Sequence, residues 1–451
     1  MSYNFWLTAL NTAFTSALFL GSASVSAEDI DLFKGGGAAD PSPPNVLIIL
    51  DNTSNWSANN QAWSKTDVSA KCAGDSTCLG YVQQIFGNNS SLTQGQVEVA
   101  SLKLVLNELV CNASSTTALK INVGIMLIKP TKGAYSNNEG TTTAASAIAG
   151  LLRRAVASLD SERCATLVGD LDFIFNNITS PTYKAPADAN YGGPLFDAFK
   201  YFGGHTNPTN AEEGTAGTPT GHISFGPKRY GILDDLEEAL VFTDSSKLTY
   251  RSPIVQINQT TCGYNNYILL IGNGYPNADN TTLVTGLGYS YTPSQFAFSD
   301  RTGDVWAKFL ATTDVSPLAG QQSVATSVMN IYNASADADQ TKLLKSMAKY
   351  GGGSYYEVGG SLGGLINSFK NFFTSINAAN QAFASSTLPS TLTGGGLDLN
   401  QVYLGMFRPD KNPRWYGNLK HYQYILTKDA NNKETVVLGD SRTPPQAVQS
   451  G

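Results

Sequence analysis

Apolar residues along this chain fall into short unbroken runs separated by stretches with helical spacing. In NVLIILDNTSNW, residues 45 to 56, Val46 to Leu50 form a wholly aliphatic run that breaks at Asp51 into a polar loop closed by Trp56. A run of this length bounded by turn formers predicts a strand buried on both faces, as in a parallel sheet covered by helices. KINVGIMLI (120–128) and YNNYILLIGNGYPN (264–277) repeat the pattern, the second ending in an Asn-Gly turn, and SVATSVMNIYN and SYYEVGG read as further strands. Between them, GQVEVASLKLVLNELVC places Val97, Ala100, Leu104 and Leu109 near one helix face, widened by Leu102, Val105 and Leu106. ASAIAGLLRRAVASLD reads as a second helix with its arginines outward. A loop then leads to YGGPLFDAFKYFGG (191–204), a helix with Pro194 in its first turn and Gly203 at its stop. ADQTKLLKSMAKYGGG and LGGLINSFKNFFTSINAANQAF complete the alternation, with Asp337 and Asp339 read as capping the helix that follows them.

This alternation predicts an α/β fold: one three-layer, Rossmann-like domain over residues 45–384, with loop insertions at about 57–93 and 205–250. From residue 385 to 451 the texture changes to alternating β-type runs without helical spacing. Residues 1–27 carry no charged side chain and end in Val-Ser-Ala, which predicts a cleaved secretory signal. Asn11, Thr12 and Thr15 interrupt its apolar part and argue against a permanent membrane span. Residues 28–44 then form a leader.

Export changes how the five cysteines are read, because the chain then meets an oxidising compartment. Cys72 and Cys78 bracket the turn-rich AGDST and are expected to pair. Cys111 ends one helix and Cys164 lies just past another, so a second bridge between them fits, and Cys262 is left over. The formal net charge of −6, with no run of basic residues, argues against a nucleic-acid partner.

Candidate enzyme chemistry is thin. Gly359-Gly360-Ser361-Leu362-Gly363 satisfies G-x-S-x-G between a strand and a helix, with Asp398 and His421 downstream. The α/β units needed to bring that acid and histidine back to the serine do not follow, so no catalytic residue is assigned. His205, His222 and His421 are far apart in sequence and none lies in H-E-x-x-H. Asp29/Asp31 and Asp170/Asp172 read as solvated turns, and Arg414 and Trp415 as a domain junction or a recognition surface.

PNVLIILDNTSNW, YILLIGNGYPN, TKLLKSMAKYGGGSYYEV and MFRPDKNPRWYGNLKHYQY together resemble the von Willebrand factor A domain, and more closely the PilY-type proteins of bacterial type IV pili. The resemblance spans the mature chain. It implies an exported, non-enzymatic protein of the periplasm, outer surface or pilus tip that supports pilus assembly and adhesion through contacts with pilins, minor pilins or surface ligands. It also implies that residues 385–451 begin a truncated PilY-type C-terminal region, whose β-propeller functions are not carried over.

A domains hold Mg²⁺ on an Asp-x-Ser-x-Ser loop, a Thr from a second loop and an Asp from a third. Matched to that pattern, the first loop is Asp51, Thr53 and Asn55, Gly193 stands in place of the Thr, and Asn273 in place of the third-loop Asp. One anionic ligand remains of two, so the site reads as degenerate and no cofactor is assigned firmly: Asp51, Thr53 and Asn55 are expected to satisfy loop amides through side-chain hydrogen bonds, with weak binding of Mg²⁺ or another divalent cation as the lesser alternative. The alternative is a metal-dependent adhesion module that binds a surface or host ligand independently of pili.

Overall fold

The computed structural model describes residues 43–111, 118–128, 150–179, 184, 189–205, 239–243, 249–254, 265–278, 284–285, 287–318, 320–332, 336–382, 401–408, 416–428 and 434–439. Cys262, Arg414, Trp415, Asp398 and most of the 205–250 insertion lie outside them.

Six strands build the central sheet: β1 (Asn45–Leu50), β4 (Asn122–Ile128), β5 (Gly150–Ser158), β6 (Asn266–Gly272), β7 (Ala325–Tyr332) and β8 (Gly352–Gly359), in the order β5-β4-β1-β6-β7-β8. All neighbours pair in parallel except β5, which runs antiparallel to β4 at one edge. The arrangement is mixed α/β, compatible with a Rossmann-like fold. Register is marked at the amino ends by a side-chain ladder across three strands: Asn122 donates to Asn45 and Asn45 to Asn266, each at 2.9 Å.

Helices form two groups. α2 (Ser76–Phe86), α3 (Gln94–Leu106), α4 (Ser161–Asn176) and α8 (Leu362–Ala382) pack together, as do α5 (Gly192–Gly203), α6 (Gly303–Thr312) and α7 (Ala338–Tyr350). α5 is buried along its whole length because its sequence is apolar on nearly every face. Just before its N-cap Tyr191, the Asn190 side chain accepts from Gly193 N at 3.0 Å, and the helix ends at Gly204 with φ +62°, a conformation glycine adopts without strain. Asp337 caps α7 by accepting from Gln340 N at 2.8 Å. Among the described residues no helix is long and apolar enough to cross a membrane.

The segment after β1 is more ordered than its polar composition suggests. It contains β2 (Trp63–Ser64), α1 (Lys65–Lys71), α2 and β3 (Ser91–Leu92), and sends the buried Trp63 and Phe86 into the core. Two disulfides staple the molecule, Cys72–Cys78 after α1 and Cys111–Cys164 between the π-helical end of α3 and α4. Both suit an oxidising compartment. Apart from this sheet, β9 (Gln401–Arg408), β10 (Tyr416–Lys428) and β11 (Glu434–Gly439) form a three-stranded sheet in the order β11-β10-β9, with β10 and β11 antiparallel.

Three expectations are corrected. The segment around Arg153 and Arg154 is strand β5 rather than a helix, and both arginines are buried at 3% and 6% exposure. Arg153 meets Asp170 Oδ1 at 2.6 Å, and Arg154 pairs with the other oxygen of the same carboxylate. Correspondingly, the stretch read as a loop before Tyr191 contains α4, whose N-cap Asp160 accepts from Arg163 N at 2.9 Å. Asp170 and Asp172 are therefore helical residues with partners, Asp172 meeting Lys103 at 2.5 Å, and not solvated turns.

Candidate functional site

Parallel sheets bind ligands beyond the carboxyl ends of their strands, where the backbone leaves the ladder and loops from adjacent strands diverge. Here β1 and β6 lie side by side, and Asp51 N still donates to Ile271 O at 3.0 Å, one residue past the end of β1. The first residues of the two exit loops, Asp51 and Asn273, are thereby set against each other. A third strand-like segment crosses above them: Ala189 N donates to Tyr275 O at 2.9 Å and Asn277 N to Ala189 O at 2.7 Å, which places Tyr191 over Asp51. Trp56, in the 3-10 turn Ser54–Trp56, closes the first loop by packing against the start of α3. Gly95 makes room for it, since a Cβ there would lie 2.5 Å from the indole.

The structure brings together all four residues expected to form the site. Asp51 is fully buried and its two oxygens accept five hydrogen bonds. Oδ1 takes Thr53 N at 3.1 Å and the Thr53 hydroxyl at 2.5 Å. Oδ2 takes the Tyr191 hydroxyl at 2.8 Å and the backbone amides of Asn273 and Gly274, each at 3.0 Å. Asn55 reaches across to donate to Asn273 O at 2.5 Å, and the Asn273 side chain donates to Asp51 O at 2.6 Å. Gly193 sits at the start of α5, bound through its own amide to Asn190.

Two members of the cluster are absent from the expected set. Tyr191 supplies a hydroxyl to Asp51, and Glu98 of α3, fully buried, accepts from Asn273 Nδ2 at 3.2 and 3.3 Å. Glu98 is flanked by Val97 and Val99 on the widest buried part of its helix. An acid amid apolar neighbours was the signal available for it. Tyr191 directly precedes the Gly-Gly-Pro-Leu match, and nothing in the spacing marks its hydroxyl.

Two carboxyls share this closed space. Burial pushes both upward, and Glu98 further, since Asp51's negative charge adds to the desolvation. Asp51 is opposed in this by its surrounding donors, whereas Glu98 is held by the amides of Asn273 and Gln94. Both carboxyls are thus held toward their protonated forms, Glu98 more strongly than Asp51. Burial and the adjacent Asp51 hold the Tyr191 hydroxyl well above its usual range, so it remains a donor.

A divalent cation needs carboxylate lone pairs free to face it. As arranged, both oxygens of Asp51 are already engaged, the Thr53 hydroxyl points its proton at that carboxylate, and Tyr191 occupies the approach to Oδ2. These residues do not fit a tightly held ion. A cleft of about 780 Å³ lies elsewhere, lined by residues of α2, α3 and α4 including Phe86, Leu104 and Phe175, and it contains none of these groups.

No protein-family model matches the chain, and no curated protein matches it significantly.

Proposed function

We propose that this chain is an exported, non-enzymatic protein of the von Willebrand factor A type, related to PilY-type factors, which supports type IV pilus assembly and tip-associated adhesion through protein–protein contacts. The observation that carries the reading is the meeting of Asp51, Thr53, Asn55 and Asn273 at the carboxyl ends of β1 and β6, the positions at which the A-domain resemblance places a metal-dependent adhesion site. Hydrogen bonds within this buried cluster engage both Asp51 oxygens, which supports contacts made by the surrounding loops without a bound ion. The mostly parallel six-stranded sheet and the two disulfides are consistent with that reading.

The test is cosedimentation of the full chain with sheared type IV pili, with and without a chelator. Recovery in both conditions supports the proposal. Recovery lost on chelation favours the metal-dependent module, and no recovery in either condition overturns the pilus reading.

A further inference from the structure

The chain is acidic overall, yet one face of the α/β unit gathers cations over aromatic rings. α7 presents Lys342, Lys345 and Lys349 on a single exposed stripe, because residues three and four apart share a helix face. Each lies over a ring: Lys342 Nζ is 4.3 Å from the Phe298 centroid, Lys345 5.1 Å from Tyr355 and Lys349 5.0 Å from Tyr350. Arg301 covers Phe298 at 4.1 Å and Tyr275 at 5.3 Å, and Lys308 lies 5.5 Å from Phe296 and 5.6 Å from Tyr350. Among the described residues only Asp339, at 3.4 Å from Arg301, and Glu357, at 4.0 Å from Lys345, come within ion-pair distance of these five cations. Tyr275, 40% exposed, follows directly on Asn273 and Gly274, so the face is continuous with the loops of the candidate site.

We propose that this face docks an acidic protein segment whose carboxylates recur about 5 Å apart, the spacing of i, i+3 and i, i+4 pairs on a helix. Resting on rings, the lysines are held at the surface with their stems partly covered, so less side-chain freedom is lost when carboxylates arrive, while Arg301, its side chain only 11% exposed, is engaged beneath them by Asp339 and the Tyr275 hydroxyl. Tyrosine, phenylalanine and arginine are also the side chains enriched where proteins bind proteins. A nucleic-acid strand fits less well. Its charges, one per roughly 3.4 Å of strand, do not match the spacing of about 5 Å between residues three and four apart on a helix face.

This inference rests on the proposed function only in taking a protein as the partner, and its test needs no pili. A fluorescent 21-residue helical peptide with Glu at every third or fourth position, and Leu and Phe beside them, is titrated with the full chain at low salt, together with its Gln counterpart and a thymidine 15-mer. The Glu peptide is expected to bind at least tenfold more tightly than the Gln peptide and than the oligonucleotide. The K342E/K345E/K349E variant should lose at least tenfold in affinity with an unchanged melting temperature, and K342Q/K345Q/K349Q replaces it if charge reversal disturbs folding. Equal affinity for the Glu and Gln peptides, undiminished binding by a folded triple variant, or tighter binding of the oligonucleotide would overturn the proposal.

Discussion

The Tyr191 hydroxyl stands 2.8 Å from Asp51 Oδ2 and 3.1 Å from Gly274 O, joining the segment before α5 to both exit loops of the sheet. It donates to Asp51 Oδ2, with Gly274 O as the longer contact, in a fully buried setting. Replacing it with phenylalanine leaves the ring in place and removes that donor. Tyr191→Phe is expected to cost about 1–3 kcal/mol, the usual range when a buried partner is left unsatisfied. Urea denaturation with an unchanged slope checks it, and a loss under a few tenths of a kcal/mol would mean that the hydroxyl is dispensable.

Glu98 gives the cluster a pH dependence of defined sign. Its folded-state pKa lies well above its ordinary value of 4.5, so the proton it retains favours the folded state in acid. That contribution is fully present below about 4.5, the unfolded value, and is lost as pH rises through the raised folded pKa. Glu98→Gln keeps the shape and removes the titration. The stability of the wild type should therefore fall more steeply than that of the variant as pH rises above about 4.5 through the raised folded pKa. Parallel profiles would show that Glu98 does not hold its proton.

Metal affinity tests the degenerate-site reading directly. With both Asp51 oxygens engaged, Mg²⁺ should bind no tighter than about 1 mM, roughly −4 kcal/mol. Gly193→Thr with Asn273→Asp restores the family's hydroxyl and carboxylate and should tighten binding. Calorimetry showing micromolar affinity in the unmodified chain, abolished by Asp51→Ala, would replace this account with the metal-dependent one.

Trp56 and Gly95 make a steric lock on the first loop. A methyl at residue 95 would stand 2.5 Å from Trp56 Cδ2 and 2.8 Å from Cε3, against a rigid ring with no flexible end to yield. Gly95→Ala should cost about 1–3 kcal/mol despite alanine's better helix propensity. A stabilised variant would show that the indole has room to move.

The two disulfides should differ in weight. Closing 53 residues constrains the unfolded chain more than closing 6, by roughly 4 against 2 kcal/mol in the chain-entropy account. Paired Cys→Ala replacements at 111 and 164 should thus lower the melting temperature more than those at 72 and 78. In non-reducing peptide maps Cys262 is expected as the free or intermolecular thiol.

The strands of the sheet interior were legible because burial on both faces leaves unbroken aliphatic runs, as in Val46 to Leu50 and Ile268 to Ile271. Edge strand β5 was not. Its Leu151, Leu152, Ala155 and Val156 mimic helical spacing, and Arg153 and Arg154 read as solvated until Asp170 supplies a buried counter-charge from another element. The four site positions were placed by matching the chain to the pattern that the A-domain resemblance implies. Glu98 and Tyr191 could not be placed, since each reaches the cluster through tertiary packing that local patterning does not encode. The basic face was hidden for the same reason: Arg301, Lys308 and the lysines of α7 are interspersed with apolar and acidic residues along the chain and gather only on folding.

The Cys111–Cys164 bridge also sets how far the molecule can be stretched. Tension applied at the two chain ends would bypass everything between these cysteines, including β4 and edge strand β5. The 53-residue separation corresponds to about 180 Å of extended chain that stays out of the line of force while the bridge is oxidised. Reduction would release that length, so the redox state of one bond determines the contour the protein can yield under load.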